Sequence, residues 1–453
     1  MLSKAVARSS LATLAGLVPH YIAFYLLHAP LWTETIAEWI MAHTPSHIAV
    51  ALLDSLGPWA KPLAMTGALA ALGFAVFVTL PLRWAGPLLA AVSLGSVFNY
   101  HSWIGQISFW LPVTVVAAWP HPAFAPRRRR FIMSAGVAAI ALECYLRNEA
   151  LSRRAVEPVP LWPFHPPPDA FAPGLVRKAV TPVAEFYGMS KDSVDPAIDP
   201  SNWRLKIAAD GRTLKEYRYS ELLSLSRVER YVTLRCVSNT LKSDLMGTAA
   251  WSGVSLSQLV ERSAIPPGDV EVAIVGVDGH GDSLSLDYAF SDETLFALGM
   301  NGQTLDRTHG FPLRLLVPRY YGFKNVKWIS EINFLTKPYF GTWPRLGYTK
   351  EPAVHIASHI DRIEGSRIGG VSFAGTRGIR AVEVRADHGP WVAATLDRPL
   401  SPFTWTRWFA LLPSPPSTQV EVRAQDGTGH WQESLEGPLF PDGVTGPTVR
   451  RLS

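Results

Sequence analysis

The run Tyr231-Val232-Thr233-Leu234-Arg235-Cys236-Val237-Ser238-Asn239 is a β-rich segment that ends in a single cysteine. Cysteine is rare in this chain, because only two occur in 453 residues, and the other one, Cys144, lies far earlier in an apolar stretch. Taken alone, Cys236 is either a small buried hydrophobic residue or a reactive or metal-binding thiol. The rest of the sequence has to decide between these two interpretations.

The composition divides the chain in two. Residues 10 to 147 are dominated by apolar side chains, whereas the sequence after residue 155 is mixed and rich in proline. Several apolar runs approach the roughly 20 residues that a bilayer-spanning helix needs. A further stretch at 34–56 is interrupted by Glu38, His43, Pro45, His47 and Asp54, and it predicts an amphipathic segment at the membrane interface. The five predicted transmembrane helices lie near 10–31, 59–81, 85–99, 103–119 and 131–147.

Charge placement predicts how these helices are oriented. With five spans, Lys4, Arg8, Arg83 and the run 127–130 all fall on the cytoplasmic side, as the positive-inside rule requires. This topology predicts a multi-pass cell-membrane protein whose later residues lie on the periplasmic or extracellular side. The net charge is +5 and no basic face recurs, so nucleic acid is not an expected partner.

The sequence predicts a multidomain fold class: about five N-terminal transmembrane helices, a central α+β domain and a C-terminal immunoglobulin-like β-sandwich. The central part alternates strand-like runs such as 228–234 with helix-like runs such as 256–263. Beyond residue 351, strict alternation at 382–386 and 419–424 predicts sandwich strands. The predicted boundaries are 1–150 for the anchor, 151–176 for a stiff Pro-rich linker, 177–350 for the α+β domain and 351–453 for the sandwich.

Three cofactor classes are excluded by missing motifs. The chain has no GxGxxG or P-loop spacing for a nucleotide. It has no CxxCH and too few cysteines for c-type haem or an iron–sulfur cluster.

Short motifs in the second half of the chain resemble those of the sulfite oxidase superfamily of molybdopterin enzymes. The resemblance covers nearly all of residues 180–450 and includes the family's C-terminal dimerisation domain. Any one motif is weak, but seven in the family's order are specific. The motifs are Glu185-Phe186-Tyr187, Leu234 through Asn239, Gly247 through Val254, Asp278-Gly279-His280, Met300-Asn301-Gly302, His309 through Arg314, and Tyr320 through Trp328.

The resemblance implies a molybdenum–pterin cofactor whose metal is bound by Cys236. A thiolate is a soft ligand suited to such a metal, and the pterin phosphate needs fixed cations and backbone N–H donors. Cys236 is also a predicted catalytic residue, together with Arg377 as an anion-binding group. The residues that the resemblance implies for cofactor binding are Phe186, Tyr187, Asn239, His309, Arg314, Tyr321, Gly322, Lys324 and Lys327.

Two departures from the family pattern concern the substrate. Sulfite oxidases carry a tyrosine two positions before the Met-Asn-Gly triplet, where this chain has Leu298. Their cysteine loop continues into arginines, where this chain has Thr240 and Leu241. A charge-assisted hydrogen bond is worth roughly 1.5–3 kcal/mol, so a dianion would lose much of its binding. We expect oxygen-atom transfer on a small molecule other than sulfite.

Three functions remain open at this point. The favoured one is a membrane-anchored molybdopterin oxidoreductase that exchanges electrons with a quinone or a separate redox partner and forms a homodimer. The second is a non-catalytic membrane-anchored binding module. The third is a membrane redox protein whose helices carry haem or bind quinone and whose other domain is regulatory, although we do not expect haem.

Overall fold

The computed structural model describes residues 156–452, apart from 192–194, 242 and 269. The five predicted transmembrane helices and the predicted interfacial segment at 34–56 lie outside the described residues. Within the described ranges, no helix is both long enough and apolar enough to cross a membrane. The predicted fold class is therefore wrong as it stands, because the described architecture is mainly β with only four short helices.

The described helices span one or two turns each. They are α1 (Tyr219–Ser224), α2 (Leu256–Leu259), α3 (Leu286–Ala289) and α4 (Thr342–Arg345).

The predicted helix at 256–263 is shorter than expected. Ser255 and Gln258 form a capping box at its start, as the sequence suggested. Val260 is already extended, and a separate 3-10 turn follows at Arg262–Ala264. The chain then enters Pro266, and a proline favours an extended conformation in the residue before it, which here is Ile265.

One five-stranded sheet has the order β2-β1-β10-β5-β6. Its central pair, β1 and β10, is parallel, with Lys206 opposite Glu331, whereas the other pairs are antiparallel. The strands are β1 (Arg204–Ala209), β2 (Arg212–Arg218), β5 (Glu271–Gly276), β6 (Gly281–Ser285) and β10 (Ile329–Leu335).

A second sheet has the order β3-β4-β7-β8, and β9 also pairs with β7. All nine residues of β4 are buried, and its neighbour β3 ends one residue before Cys236. The main core contains Trp203, Trp251 and Phe334. Trp251 lies in β4 and Phe334 in β10, while Trp203 directly precedes β1. The strands are β3 (Val228–Arg235), β4 (Met246–Val254), β7 (Leu295–Met300), β8 (Gln303–Thr304) and β9 (Arg314–Leu316).

Two four-stranded sheets follow, with the orders β11-β12-β16-β15 and β14-β13-β17-β18. The strands predicted at 382–386 and 419–424 are confirmed, since they lie in β13 and β17 and pair antiparallel. Trp408 is fully buried among the apolar residues of these sheets. The strands are β11 (Ala357–Glu364), β12 (Arg367–Phe373), β13 (Ile379–Ala386), β14 (Val392–Ala393), β15 (Thr395–Leu396), β16 (Thr406–Leu411), β17 (Gln419–Asp426) and β18 (Thr448–Arg451).

The Pro-rich segment packs against the folded part over its described length. The backbone N–H of Leu161 donates to the carbonyl of Gly302, and Asp169 forms an ion pair with Arg407. A smaller core that includes Val237, Tyr321 and Phe373 joins the first pair of sheets to the second. The sheets change near residue 350, where the sequence places a domain boundary, and that boundary stays a prediction.

Candidate active site

Cys236 lies at the end of β3 in a tightly bonded loop. Its N–H donates to the carbonyl of Leu245 at 2.9 Å, and its own carbonyl accepts from the N–H of Asn239 at 3.1 Å. The residue is only 8% exposed. Burial raises the pKa of the thiol, and hydrogen bonds from Ser238 and the charge of Arg235 offset this only in part. The free thiol is therefore protonated at neutral pH, and a metal would have to displace the proton.

The backbone of Gly322 lies against the cysteine loop. A methyl group built on Gly322 would lie 2.9 Å from the hydroxyl oxygen of Tyr187, 3.3 Å from the carbonyl oxygen of Arg235 and 3.5 Å from Cα of Cys236. The prediction that glycine lets the backbone come close at this position is consistent with the structure. Three distant parts of the sequence therefore meet at Cys236.

Tyr187 follows a 3-10 turn at Val183–Glu185 and stacks on Phe186, with ring centroids 5.4 Å apart. Burial, and then the neighbouring Cys236, raise the pKa of Tyr187, while Arg314 acts in the opposite direction. The hydroxyl is therefore a neutral hydrogen-bond donor beside the thiol. Phe186 is a core residue, because its ring packs edge-on against Trp251, 5.7 Å between centroids.

His309 is held in a fixed orientation. Its Nδ1 and its backbone N–H both bind the carboxylate of Asp306, at 2.8 and 2.7 Å, and its ring lies edge-on to Phe186. Burial disfavours ionisation of Asp306, but the hydrogen bonds from His309 outweigh it and lower the pKa of that carboxyl. Nε2 is 3.4 Å from the carbonyl oxygen of Phe186, a long contact that leaves it able to bind a ligand.

The side chains of Arg314 and Lys327 both lie next to Gly310. A methyl group on Gly310, whose φ is +105°, would lie 3.1 Å from Cβ of each. Arg314 donates to the carbonyl of His309 at 3.1 Å and lies over the ring of Trp251. Burial lowers the pKa of Arg314 to about 10. Its Nε is buried and has no hydrogen-bond partner among the described residues.

The ammonium group of Lys327 contacts mostly neutral oxygens. It donates to Ser190 Oγ and the carbonyl of Thr308, both at 2.8 Å, while the carboxylate of Asp195 is 4.0 Å away. Burial lowers the pKa of Lys327 to about 8, and Arg314 adds to the shift while Asp195 opposes it. A buried guanidinium with an unpartnered Nε, next to an ammonium group that contacts mostly neutral oxygens, is what an anionic cofactor with a terminal phosphate would satisfy.

Lys324 was predicted to bind the cofactor, and in the structure its ammonium group is bonded within the protein. Its ammonium group is 1% exposed and donates to Asp282 at 2.8 Å, to the carbonyl of Ser283 at 2.6 Å and to the carbonyl of Lys350 at 2.8 Å. An ammonium group has three N–H bonds, and all three are used. Lys324 is a structural brace.

Asn239 and Tyr321, also predicted to bind the cofactor, have hydrogen bonds within the protein as well. The side-chain oxygen of Asn239 accepts from the N–H of Leu245 and from Ser243, so it closes the cysteine loop. The hydroxyl of Tyr321 contacts Arg235 at 3.3 Å and accepts from the N–H of His355 at 3.2 Å. Both side chains support the loop from behind and are used within the protein.

Arg377 lies in a 3-10 turn at Gly375–Arg377 and pairs with Asp426 at 2.7 Å. It also donates to the carbonyl of Val354. Burial is the main cause of the lowered pKa of His355, and the positive charges of Arg235 and Arg377 lower that pKa further. Arg377 therefore lies near the Cys236 loop, and its role in anion binding stays a prediction.

Sequence reasoning missed Arg235, Asp306 and His355. Arg235 directly precedes Cys236. A cation at the otherwise apolar end of a strand was a sequence signal that could have indicated its role at the site. Asp306 precedes His309 by three residues, a spacing that suits a local side-chain bond. His355 had no signal, because it is brought to the site by the fold alone.

The comparisons with known proteins agree with this geometry. Residues 192–343 match the oxidoreductase molybdopterin-binding domain. Human mitochondrial sulfite oxidase is 26% identical over 339 residues, which cover 61% of this chain and 61% of that protein. The protein-methionine-sulfoxide reductase catalytic subunit MsrP of Burkholderia mallei is 28% identical over 261 residues, 49% of this chain and 75% of that one.

This chain is similar to members of the sulfite oxidase superfamily over about half to three fifths of its length. The domain is thus a molybdopterin-binding oxidoreductase domain, as the sequence motifs implied. The chain spans about three fifths of the length of the human relative. The sulfane dehydrogenase SoxCD from Paracoccus pantotrophus shares the fold, with a TM-score of 0.51 at 20% identity, over 60% of this chain and 83% of that one.

The brace at Lys324 can be tested by removing one partner. Lys324→Met leaves the carboxylate of Asp282 buried without its cation, so we expect the free energy of unfolding to fall by about 3–5 kcal/mol. The control is Lys206→Met, which breaks the part-exposed pair with Glu331 and should cost at most about 1 kcal/mol. Denaturant unfolding measures both, and equal losses in the two variants would contradict the assignment.

The shifted pKa of Lys327 predicts a pH dependence in the cofactor-free chain. Between about pH 8 and the ordinary lysine pKa of 10.5, the unfolded chain holds the lysine proton while the folded one has lost it. The unfolded state then binds more protons, so this residue makes the free energy of unfolding rise with pH across that window. Below it, the buried charge is destabilising.

Urea unfolding of wild type and Lys327→Met at several pH values isolates this contribution. The difference, wild type minus variant, should increase from pH 8 to pH 10, whereas Lys206→Met should run parallel to wild type. A wild-type-minus-Lys327→Met difference that is flat or falls with pH would show that the lysine is not desolvated.

Proposed function

We propose that this chain is an oxidoreductase that carries out oxygen-atom transfer at a molybdopterin centre, with Cys236 as the protein ligand of the metal. One observation carries the proposal: Tyr187, Gly322 and Cys236, which are far apart in sequence, meet in one place, with Arg314 close enough to affect the pKa of Tyr187. A lone structural cysteine requires neither the glycine-only approach nor incompletely paired cations.

The residues present fit the group that the family implies. When bound, the cofactor would supply a metal centre that can give up an oxygen atom while gaining two electrons, or take up an oxygen atom while losing two. Cys236 supplies the soft thiolate, Arg314 and Lys327 supply positive charge for anionic parts, and Gly310 and Gly322 keep the space free of side chains.

Tyr187 and His309 are the described side chains suited to orienting a ligand. The raised pKa of Tyr187 keeps its hydroxyl protonated, so it can donate a hydrogen bond beside the thiolate. Asp306 fixes the ring of His309 through Nδ1, which directs Nε2 away from that carboxylate. Neither group needs to move to act.

The intact site argues against a non-catalytic binding module. A module that had lost catalysis would have no reason to keep Arg314 and Lys327 buried with incomplete partners, because buried charges are costly. Their retention beside Cys236 is what a charged cofactor would offset. The haem alternative concerns residues outside the described ranges.

The substrate that we propose is a small molecule other than sulfite. Leu298 is fully buried in the main core and carries no hydroxyl toward the site. Thr240 and Leu241 stand where sulfite oxidases have arginines. A separate redox partner or a quinone would exchange the electrons. The location of the later residues on the periplasmic or extracellular side stays a prediction, as does the homodimer.

Removal of the proposed metal ligand is the direct test. We expect Cys236→Ser to abolish turnover and to reduce metal content, while circular dichroism and pterin fluorescence stay close to wild type. The matched control is Cys144→Ser, which changes the chain's other cysteine and should retain activity. Normal turnover in Cys236→Ser would exclude the cysteine as a ligand and with it the proposed function.

The substrate proposal has its own test. Sulfite oxidation by the molybdenum-loaded protein should be slow or absent compared with a sulfite oxidase assayed in parallel. Restoring the missing groups with Leu298→Tyr and Thr240→Arg should increase it, chiefly through a lower KM, because an anion-binding group is gained. A wild-type rate equal to that of the sulfite oxidase would contradict the proposal.

A further inference from the structure

Arg235 is a buried cation without a carboxylate partner. Its side chain is 2% exposed. Nη1 contacts the hydroxyl of Tyr321 and the carbonyl of His355, both at 3.3 Å, and Nη2 donates to the carbonyl of Asn239 at 3.2 Å. Nε is buried and has no hydrogen-bond partner in the part of the chain that the structure describes. Every contact is neutral and long for a guanidinium.

Two other buried cations, Lys324 and Arg407, are neutralised by carboxylates. Lys324 pairs with Asp282, and Arg407 is 5% exposed and pairs with both Asp169 and Asp397. A second cation, Arg377, acts on the same His355, but its own partner is Asp426. Another acid in this region, Asp442, is part-exposed and 3.8 Å from His355. A buried guanidinium needs a counter-charge, and no described side chain provides it.

The centre that Cys236 would bind supplies the missing counter-charge. Arg235 directly precedes Cys236, and its charge favours the thiolate form of that residue. A metal–thiolate centre with an anionic pterin ligand would add negative charge next to the guanidinium. We propose that the centre bound at Cys236 is the counter-charge of Arg235, and that Arg235 in turn raises the reduction potential of that centre.

The inference rests on the proposed function, and its sign follows from electrostatics. Reduction adds negative charge to the metal centre. A fixed positive charge nearby, in a region shielded from water, stabilises the reduced form more than the oxidised form. Arg235 thus acts through Cys236 and the centre as a positioning residue; it is not assigned contact with substrate.

Arg235 also has a structural role that must be separated from this one. Its bond to the carbonyl of Asn239 helps close the cysteine loop, and its cation lies over the ring of Tyr321, 5.4 Å from the centroid. Loss of the loop geometry could alter the centre without any change of charge. The test therefore needs one variant that removes the charge of Arg235, one that keeps it, and one that disturbs only the contact between Arg235 and the hydroxyl of Tyr321.

The experiment is a redox titration of the molybdenum-loaded full-length protein, followed by the paramagnetic signal of the half-reduced metal. Arg235→Gln removes the charge and keeps much of the side-chain length, so we expect a lower reduction potential. Arg235→Lys, measured at pH 6 to favour protonation, should stay close to wild type. Tyr321→Phe loses the hydroxyl that Arg235 and the N–H of His355 contact, and it should leave the potential unchanged.

The outcomes separate the two proposals. Wild-type protein without molybdenum would end the proposed function, whereas loaded protein with equal potentials in Arg235→Gln and wild type would end only this inference. Equal shifts in Arg235→Gln and Arg235→Lys would also overturn it, in favour of a purely structural role.

A second pair of variants covers the case in which Arg235→Gln loses its cofactor. His355 is part-exposed, and its pKa is lowered by burial and by Arg235 and Arg377, which makes it neutral at pH 7 and above. His355→Glu would offer Arg235 a competing carboxylate, and His355→Gln is its neutral match. We expect a lower potential in His355→Glu than in His355→Gln, and equal values would overturn the inference.

Discussion

The structure depends on how positive charge is buried close to Cys236. Arg235 and Arg314 each keep an Nε without a hydrogen-bond partner among the described residues, and neither has a carboxylate at hydrogen-bonding distance there. Proteins rarely tolerate such groups, because removing an ion from water is expensive. An anionic cofactor would neutralise these cations. The charges that destabilise the cofactor-free protein would then contribute favourably to the free energy of cofactor binding.

The fold delivers these groups from distant segments. The end of β3 brings Cys236, and the 3-10 turn at Val183–Glu185 brings Tyr187. The loops at Gly310 and Gly322 pack closely, since a methyl group on either glycine would lie within about 3 Å of a neighbouring side chain. The second pair of sheets contributes as well. A methyl group on Gly443 would lie 2.5 Å from the hydroxyl of Tyr321, so this part of the chain packs directly behind the cysteine loop. The C-terminal part of the chain therefore helps to hold the site.

Several features were predictable from the sequence, because they depend on local pattern. The cysteine motif and the alternating strands β13 and β17 need no knowledge of the rest of the fold. The role of Lys324 was not predictable, since its partners Asp282, Ser283 and Lys350 meet it only in three dimensions. The same reason explains why Arg235 and His355 were missed: burial and pairing of a charge are tertiary properties.

The most direct measurement is the molybdenum and pterin content of the purified full-length protein, made in a host that synthesises the cofactor. The account predicts close to one metal atom per chain, together with the fluorescence of the oxidised pterin. Protein that folds normally but contains neither metal nor pterin would contradict it, and the buried charges near Cys236 would then need another partner.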